Sequence, residues 1–252
     1  MTTALITGAS SGLGAEFARQ LAAQGHALVL VARDGGRLEH AAAELRSRTG
    51  VAVEVLPADL TDPAQLAAVV ARVADPARPV GILVNNAGIG LLHDFDRNPL
   101  EDEVRHLRLH VEATLSLCHA ALQAMTQRRE GRIINVASVA AFVPRGSYSA
   151  AKAWTLAFSR WANIHYKRDG VLVTALCPGF VHTEFHERMG MNKGLIPPFM
   201  WLRAERVVRD GLLDNIRGKG VSVPSRRYKS IVALTRVLPG RVLQGPQRRP
   251  QR

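Results

Sequence analysis

Three side chains combine a reactive type with a telling separation: Tyr148 and Lys152, four positions apart, and Ser138 ten positions upstream. On a helix, residues i and i+4 share a face, so the phenol and the ammonium point the same way. A free tyrosine has a pKa of about 10 and is a poor acid or base at neutral pH. A lysine ammonium ~4 Å away, at an effective dielectric of ~20, favours the phenolate by roughly 4 kcal/mol as an upper bound. Half of that moves the phenol well toward a working range, because one pKa unit is about 1.4 kcal/mol. Ser138 closes an apolar run (Ile133, Ile134, Val136) with the pattern of a buried strand. From there its hydroxyl can hold a carbonyl or alcohol oxygen beside Tyr148. Taken alone, Tyr-x-x-x-Lys also describes any helix with one aromatic and one solvated amine. What separates the two readings is the set of elements that would position these groups.

Those elements alternate. Ala4-Leu5-Ile6 is a short apolar strand running into Thr7-Gly8-Ala9-Ser10-Ser11-Gly12-Leu13-Gly14, followed by a helix with Phe17, Ala18, Leu21 and Ala22 on one face and a stop at Gly25. Between a strand and a helix, a glycine turn lets backbone approach a phosphate, and the helix N-terminus adds free N–H groups and partial positive charge. A second strand, 27–31, ends at Ala32-Arg33-Asp34. An acid near that place hydrogen-bonds the ribose 2′-hydroxyl of NAD, whereas an arginine suits the 2′-phosphate of NADP. Arg33 follows the strand directly, which favours NADP(H), while Asp34 keeps NAD(H) open and a merely solvated Arg33 is the plain alternative. Further along come a helix at 37–49, a strand at 51–56 leading to Asp59-Leu60, and a helix at 65–73. A strand at 82–84 then runs into Asn85-Asn86-Ala87-Gly88. A long helix at 100–125, a strand at 132–136, the Tyr148 helix to about 166 and a strand at 171–176 closed by Pro178-Gly179 complete the series. Strands alternating with helices imply an α/β fold, a single doubly wound parallel sheet with helices on both faces. In such sheets ligands bind outside the carboxyl ends of the strands. The glycine turn, Asp59, Asn86, Ser138 and Pro178-Gly179 all fall at those ends.

The bulk properties agree with one globular unit. A 252-residue chain with 47% hydrophobic and 21% charged residues can bury a sizeable core. Its two cysteines, Cys118 and Cys177, stand in no metal-ligand spacing, so neither a disulfide framework nor a metal site is expected. No signal-like or membrane-spanning apolar run appears, which suggests a soluble, cytoplasmic protein. The net charge of +12 looks like a nucleic-acid signature until it is located. Residues 217–252 hold ten Lys/Arg and no Asp/Glu, leaving 23 basic against 21 acidic residues before them. Without interleaved aromatics, that tail is not expected to bind nucleic acid.

With these residues assembled, the chain resembles the compact branch of the short-chain dehydrogenase/reductase family over roughly residues 4–183. The motifs are Thr7-Gly8-x-x-x-Gly12-x-Gly14, Asn85-Asn86-Ala87-Gly88, Ser138, Tyr148-x-x-x-Lys152 and Pro178-Gly179. The resemblance implies a Rossmann-type fold and reversible hydride transfer between NAD(P)(H) and a carbonyl/alcohol pair. It makes Tyr148 the general acid in reduction, gives Ser138 the substrate oxygen, and has Lys152 grip the nicotinamide ribose while depressing the tyrosine's pKa. Gly8, Ser10, Ser11, Leu13 and Gly14 would wrap the phosphates, and Asp59 and Leu60 would flank the adenine. Asn86 and Gly88 would line the cleft, Val181 would approach the nicotinamide carboxamide, and Thr183 would reach the phosphates. Family members often form dimers or tetramers through helices equivalent to 100–125 and 148–166. One departure concerns the helix asparagine that supports a proton-relay water in the family: here His110 stands in its place. An imidazole can also hold a water and titrates near neutrality, although a packed helix histidine is the plain alternative.

Specificity is expected beyond Thr183, in a substrate lid over about 182–203 carrying Met191, Leu195, Ile196, Phe199, Met200 and Trp201. With Phe142 and Val143, these suggest a lipophilic substrate such as a ketoacyl thioester or a steroid-like ketone. The domain is expected to span 1–223, followed by a basic amphipathic extension at 224–252. There Tyr228, Ile231, Val232, Leu234, Val237 and Leu238 recur at near-helical spacing among Lys229, Arg236 and Arg241. Such a helix can lie on an anionic membrane surface or pack on its own domain. Two other functions remain open on sequence: an NADP(H)-binding sensor or scaffold with little turnover, and a peripheral lipid-binding protein with a vestigial oxidoreductase core.

Overall fold

The computed structural model describes residues 2–91, 93–184 and 196–235. The first strand, β1 (Thr3–Thr7), lies inside the sheet, with Thr3 to Ile6 paired on both sides. β1 pairs in parallel with β2 (Ala27–Ala32) and β4 (Val80–Asn85). From β2 the sheet continues outward to β3 (Val53–Pro57), and from β4 through β5 (Gly131–Val136) and β6 (Val171–Leu176) to the two-residue β7 (Val221–Ser222). The order β3-β2-β1-β4-β5-β6-β7 reverses direction between β1 and β4, and that reversal opens a crevice at the strand ends.

Both faces are covered, which is why the strands read as unbroken apolar runs rather than alternating ones. Ile6, Leu28, Leu30, Val84 and Ile134 meet α1 (Gly12–Ala23), α2 (Gly35–Thr49) and α7 (Ala204–Ile216) through Phe17, Leu21, Leu38, Val207 and Leu212. Leu5, Val29, Leu83 and Ile133 face the other way, toward Leu66 and Val69 of α3 (Pro63–Ala74) and Leu117 and Met125 of α5 (Ala113–Arg128). Asp34 and Asp62 start α2 and α3 by accepting hydrogen bonds from Arg37 N and Gln65 N, at 3.0 and 2.9 Å.

Three elements differ from the sequence expectation. The helix expected at 100–125 is α4 (Leu100–Leu107), a π-helical segment (Arg108–Glu112) and α5, so one extra residue is inserted where His110 sits. β7 was not expected, because two residues carry no periodicity. The helix expected after 223 is α8 (Arg226–Thr235), and it packs against the domain: Tyr228 and Val232 are buried in the main core while Ile231 and Leu234 face outward. Val237, Leu238, Arg236 and Arg241 lie outside the described residues, as do Met191 and Leu195 of the lid. Among the described residues no helix is long and apolar enough to cross a membrane.

A polar chain crosses the otherwise dry sheet and fixes α6 (Gly146–Tyr166) above it. Asn85 Nδ2 donates to Asn135 Oδ1 at 2.8 Å, Asn135 Nδ2 to Ser159 Oγ at 2.9 Å, and Ser159 Oγ to Thr155 O at 2.7 Å. Asn135 is fully buried, so truncating it strands donors and acceptors on two neighbours. We expect Asn135→Ala to cost about 2–4 kcal/mol of stability in urea unfolding; a loss below about 0.5 kcal/mol contradicts the role given to this chain of bonds.

Candidate active site

Lys152 sets the geometry of the strand ends. Its ammonium, on a residue 5% exposed, donates to the Val136 carbonyl at 2.6 Å, tying the first turns of α6 to the last residue of β5. Ser138 follows two residues later as the cap of a short 3-10 turn (Val139–Phe142), its Oγ accepting from Ala140 N at 3.1 Å. The same oxygen shares a hydrogen bond with the Tyr148 phenol. The end of β6 is drawn in by Ala137 N to Leu176 O at 2.7 Å and Val139 N to Pro178 O at 3.0 Å. Serine, tyrosine and lysine are thus gathered at one strand end, as their spacing suggested.

The electrostatics differ in sign from the sequence expectation. Protein packed around the phenol pushes its pKa up to about 12, with the Ser138 hydrogen bond opposing that rise. Burial brings Lys152 down to about 8, with the neighbouring Cys177 thiol acting the other way. The ammonium lies 5.8 Å from the Tyr148 ring centroid with a backbone carbonyl as partner, so it does not hold the phenol below its ordinary value here. At neutral pH this arrangement keeps a proton on both groups.

Beside the phenol lies a pair of imidazoles of which the sequence reading saw one. The π-helical segment turns His110 inward, where Nε2 is 2.8 Å from Ile89 O and 3.2 Å from Ile89 N. Nε2 therefore meets both backbone groups of Ile89, donating to the carbonyl in one tautomer and accepting from the amide in the other. His106, one turn earlier, lies tilted against it at 4.4 Å between centroids, and both rings lie within 6 Å of the Tyr148 ring. His106 Nε2 and His110 Nδ1 are buried without a hydrogen-bond partner. Burial, then the Lys152 charge, lowers His106 to about 4 against a smaller opposing pull from Glu103. The same two causes, and His106 itself, hold His110 well below the usual histidine range. Gly88 makes room for this pair: a Cβ there would come within 2.7 Å of His110 Cε1. The i, i+4 repeat of histidine was the signal that would have found His106.

Across the crevice, the glycine turn needs both backbone freedom, with Gly8 and Gly12 at φ 65° and 56°, and room for close contact. A Cβ on Gly14 would meet Gly8 O at 2.1 Å and Asn86 Nδ2 at 2.5 Å. Asn86 Nδ2 donates to Thr7 O at 2.9 Å and to Gly8 O at 3.3 Å, so this residue staples the end of β4 to the turn. Ser11 precedes α1 in extended backbone and makes no side-chain cap, leaving the first-turn N–H groups to face the crevice beside partly exposed Ser10 and Leu13. Thr183 lies over the turn, 3.3 Å from where a Gly12 Cβ would be. A closely packed glycine turn, an uncapped helix start and a hydroxyl above it suit a dinucleotide pyrophosphate.

To one side of this turn lie the ends of β2 and β3. Arg33 is exposed there, while the Asp34 carboxylate is committed to capping α2. Asp59 accepts from Thr61 N at 2.9 Å and Thr61 Oγ1 at 2.7 Å and pairs with Arg105 at 3.6 Å. Burial raises its pKa, but the Thr61 bonds and the Arg105 and Arg33 charges together hold it below the usual range. Leu60 beside it is buried. Beyond the end of β6 Val181 forms a parallel bridge with Leu202, and both are buried.

A doubly wound sheet with this turn at its reversal and this trio at the adjoining strand ends marks the dinucleotide-dependent oxidoreductases as a class. The profile of the short chain dehydrogenase family matches residues 2–193. The oxidoreductase UcpA of Salmonella typhimurium is 34% identical over 189 residues, covering 73% of this chain and 71% of that protein. A short-chain dehydrogenase from Sphingobium yanoikuyae, solved in complex with NADPH, is 37% identical with a TM-score of 0.86 and covers 94% of each chain. The bulky-bulky ketone specific alcohol dehydrogenase from Comamonas testosteroni superposes with a TM-score of 0.82 at 31% identity, covering 100% of this chain and 97% of its own. This chain therefore belongs to the short-chain dehydrogenase/reductase family and is an oxidoreductase.

The histidine pair has a measurable consequence. Unfolded histidines take up protons near pH 6.5, whereas His106 in the fold does so only near 4, so stability is lost as pH falls through that window. His106 alone contributes a loss of about 2 kcal/mol between pH 7.5 and pH 5. Urea unfolding at the two pH values should show it, and His106→Gln should shrink the difference. An unchanged difference in the variant contradicts the assignment.

Proposed function

We propose that this enzyme is an NADP(H)-preferring reductase/dehydrogenase of a lipophilic ketone or secondary alcohol. The observation that carries the reading is the Ser138–Tyr148–Lys152 grouping at the end of β5, facing the glycine turn across the crevice. The bound dinucleotide supplies the hydride in reduction and takes it in oxidation. Ser138 holds the substrate oxygen by its hydroxyl, and Tyr148 gives that oxygen a proton. With its pKa pushed up to about 12, the phenol is loaded for the acid role. Lys152, fixed at one end by Val136 O, presents its remaining donors toward the ribose hydroxyls and carries charge that favours the phenolate left after transfer. His110, pinned by Ile89, keeps its Nδ1 buried behind the phenol without a protein partner, where it can bond a water in the proton path.

The preference for NADP(H) rests on Arg33 and Asp34. A carboxylate already accepting from Arg37 N is poorly offered to a ribose hydroxyl, and the exposed guanidinium before it suits a phosphate. The lipophilic substrate rests on Phe142, Phe180, Met200 and Trp201 near the trio, and the Comamonas enzyme named for bulky ketones supports it. Exposed Leu115, Trp161 and Ile164 on α5 and α6 suit an assembly of two or four copies.

Tyr148→Phe should lower kcat/KM for ketone reduction by about a hundredfold or more while leaving the NADPH dissociation constant within about twofold. Retained turnover removes Tyr148 as the proton donor, and NADPH binding without turnover on any ketone in the wild type leaves the sensor reading. Arg33→Asp should cut the NADPH-over-NADH preference by about tenfold or more, the scale of a charge-assisted contact. An unchanged ratio takes Arg33 out of the phosphate site.

A further inference from the structure

The C-terminal helix reaches the active site from behind through one side chain. On α8, flanked by Arg226, Arg227, Lys229 and Ser230, Tyr228 is 2% exposed. Its ring lies flat against Gly179, where a Cβ would fall 2.0 Å from Cζ, so that glycine is required by the ring. The hydroxyl is used in both directions. It accepts from Phe180 N at 3.1 Å and donates to Met200 O at 2.8 Å. Burial raises its pKa, so the donating proton stays in place over the working range.

Phe180 and Met200 stand at the two roots of the segment that leaves the sheet after Pro178-Gly179 and returns at Leu202. Those roots are zipped together by Leu202 N to Phe180 O at 2.8 Å and His182 N to Leu202 O at 3.1 Å, around the Val181–Leu202 bridge. Trp201 closes over them, stacked on His182 at 4.8 Å and tilted against Phe180 at 5.7 Å. A single hydroxyl therefore bonds both strands of the neck at once, immediately beside the residue expected to meet the nicotinamide.

We propose that Tyr228 is a positioning residue for hydride transfer. It sets the height of Val181 against the nicotinamide half of the dinucleotide and fixes the returning root of the substrate segment to the same point. This rests on the oxidoreductase reading above but not on which dinucleotide is preferred. A tyrosine that only anchored α8 would need its ring alone, and its loss would weaken all binding together.

The test compares ligands with and without the nicotinamide half. In Tyr228→Phe, which keeps the ring, NADPH binding measured by fluorescence should weaken about fivefold or more. Binding of 2′,5′-ADP, which lacks the nicotinamide, should stay within about twofold of wild type. If NADH is the tighter ligand, the pair becomes NADH and ADP-ribose. Equal weakening of both ligands, or of neither, overturns the proposal. Hydrogen exchange on the wild-type chain tests it without a variant: NADPH should protect the Phe180, His182 and Leu202 amides more than 2′,5′-ADP does. Equal protection by the two ligands overturns it as well. A wild-type chain that binds no dinucleotide sinks the oxidoreductase reading itself, whereas one that binds without these half-selective effects sinks only the role of Tyr228.

Discussion

A buried ammonium held by a backbone carbonyl is the contact on which this site is built. Lys152 is nearly sequestered, and burial brings its pKa down to about 8 with Cys177 acting the other way, while its ammonium donates to the Val136 carbonyl at 2.6 Å. The bond fixes the first turns of α6 relative to the end of β5, and Tyr148 and Ser138 inherit their positions from it. The asparagine–serine chain beneath α6 holds the same helix from below.

Around that contact the structure trades regularity for access. The helix beyond Gly88 takes up an extra residue as a π-helical segment, which turns His110 toward the phenol. Two imidazole nitrogens are left buried and unbonded, each at a cost of about 1–3 kcal/mol by the usual scale for such groups. The glycines at 8, 14 and 88 are places where neighbouring backbone or side chains already occupy the room a methyl would need. Local departures from the best helix and the best hydrogen bonding therefore cluster on one side of the sheet, where the strand ends open.

Much of the fold could be read directly because burial on both faces leaves long apolar runs, and because Gly8, Gly12 and Gly14 follow the first of them. The trio Ser138, Tyr148 and Lys152 was legible for the same reason: its spacing relative to a strand end and along a helix is local. What escaped depends on packing between distant residues. Whether a helix takes up one extra residue depends on what its two halves pack against, so the π-helical segment at Arg108–Glu112 was not read from the sequence. Tyr228 looked like one member of an amphipathic stripe because its partners, Phe180 and Met200, lie 48 and 28 residues away. The direction of the phenol's pKa was misjudged because spacing says that two groups share a face and says nothing of which backbone atom will claim the charge first. The same helical spacing also left open whether the tail met a membrane or its own domain; in α8 Tyr228 and Val232 pack on the domain, while Ile231 and Leu234 face outward.

In this structure burial and the Ser138 hydrogen bond govern the proton on Tyr148, and Lys152 is left to act on it once a nucleotide is bound. Phenolate absorbance near 295 nm, taken as the difference between wild type and Tyr148→Phe, isolates this phenol from Tyr166 and Tyr228. Titrated without nucleotide, it should ionise near pH 12, and saturating NADPH should bring its pKa down by about one unit or more as Lys152 is drawn to the ribose side. A phenol that already ionises below pH 9 on its own, or one that NADPH leaves unmoved, would contradict the account.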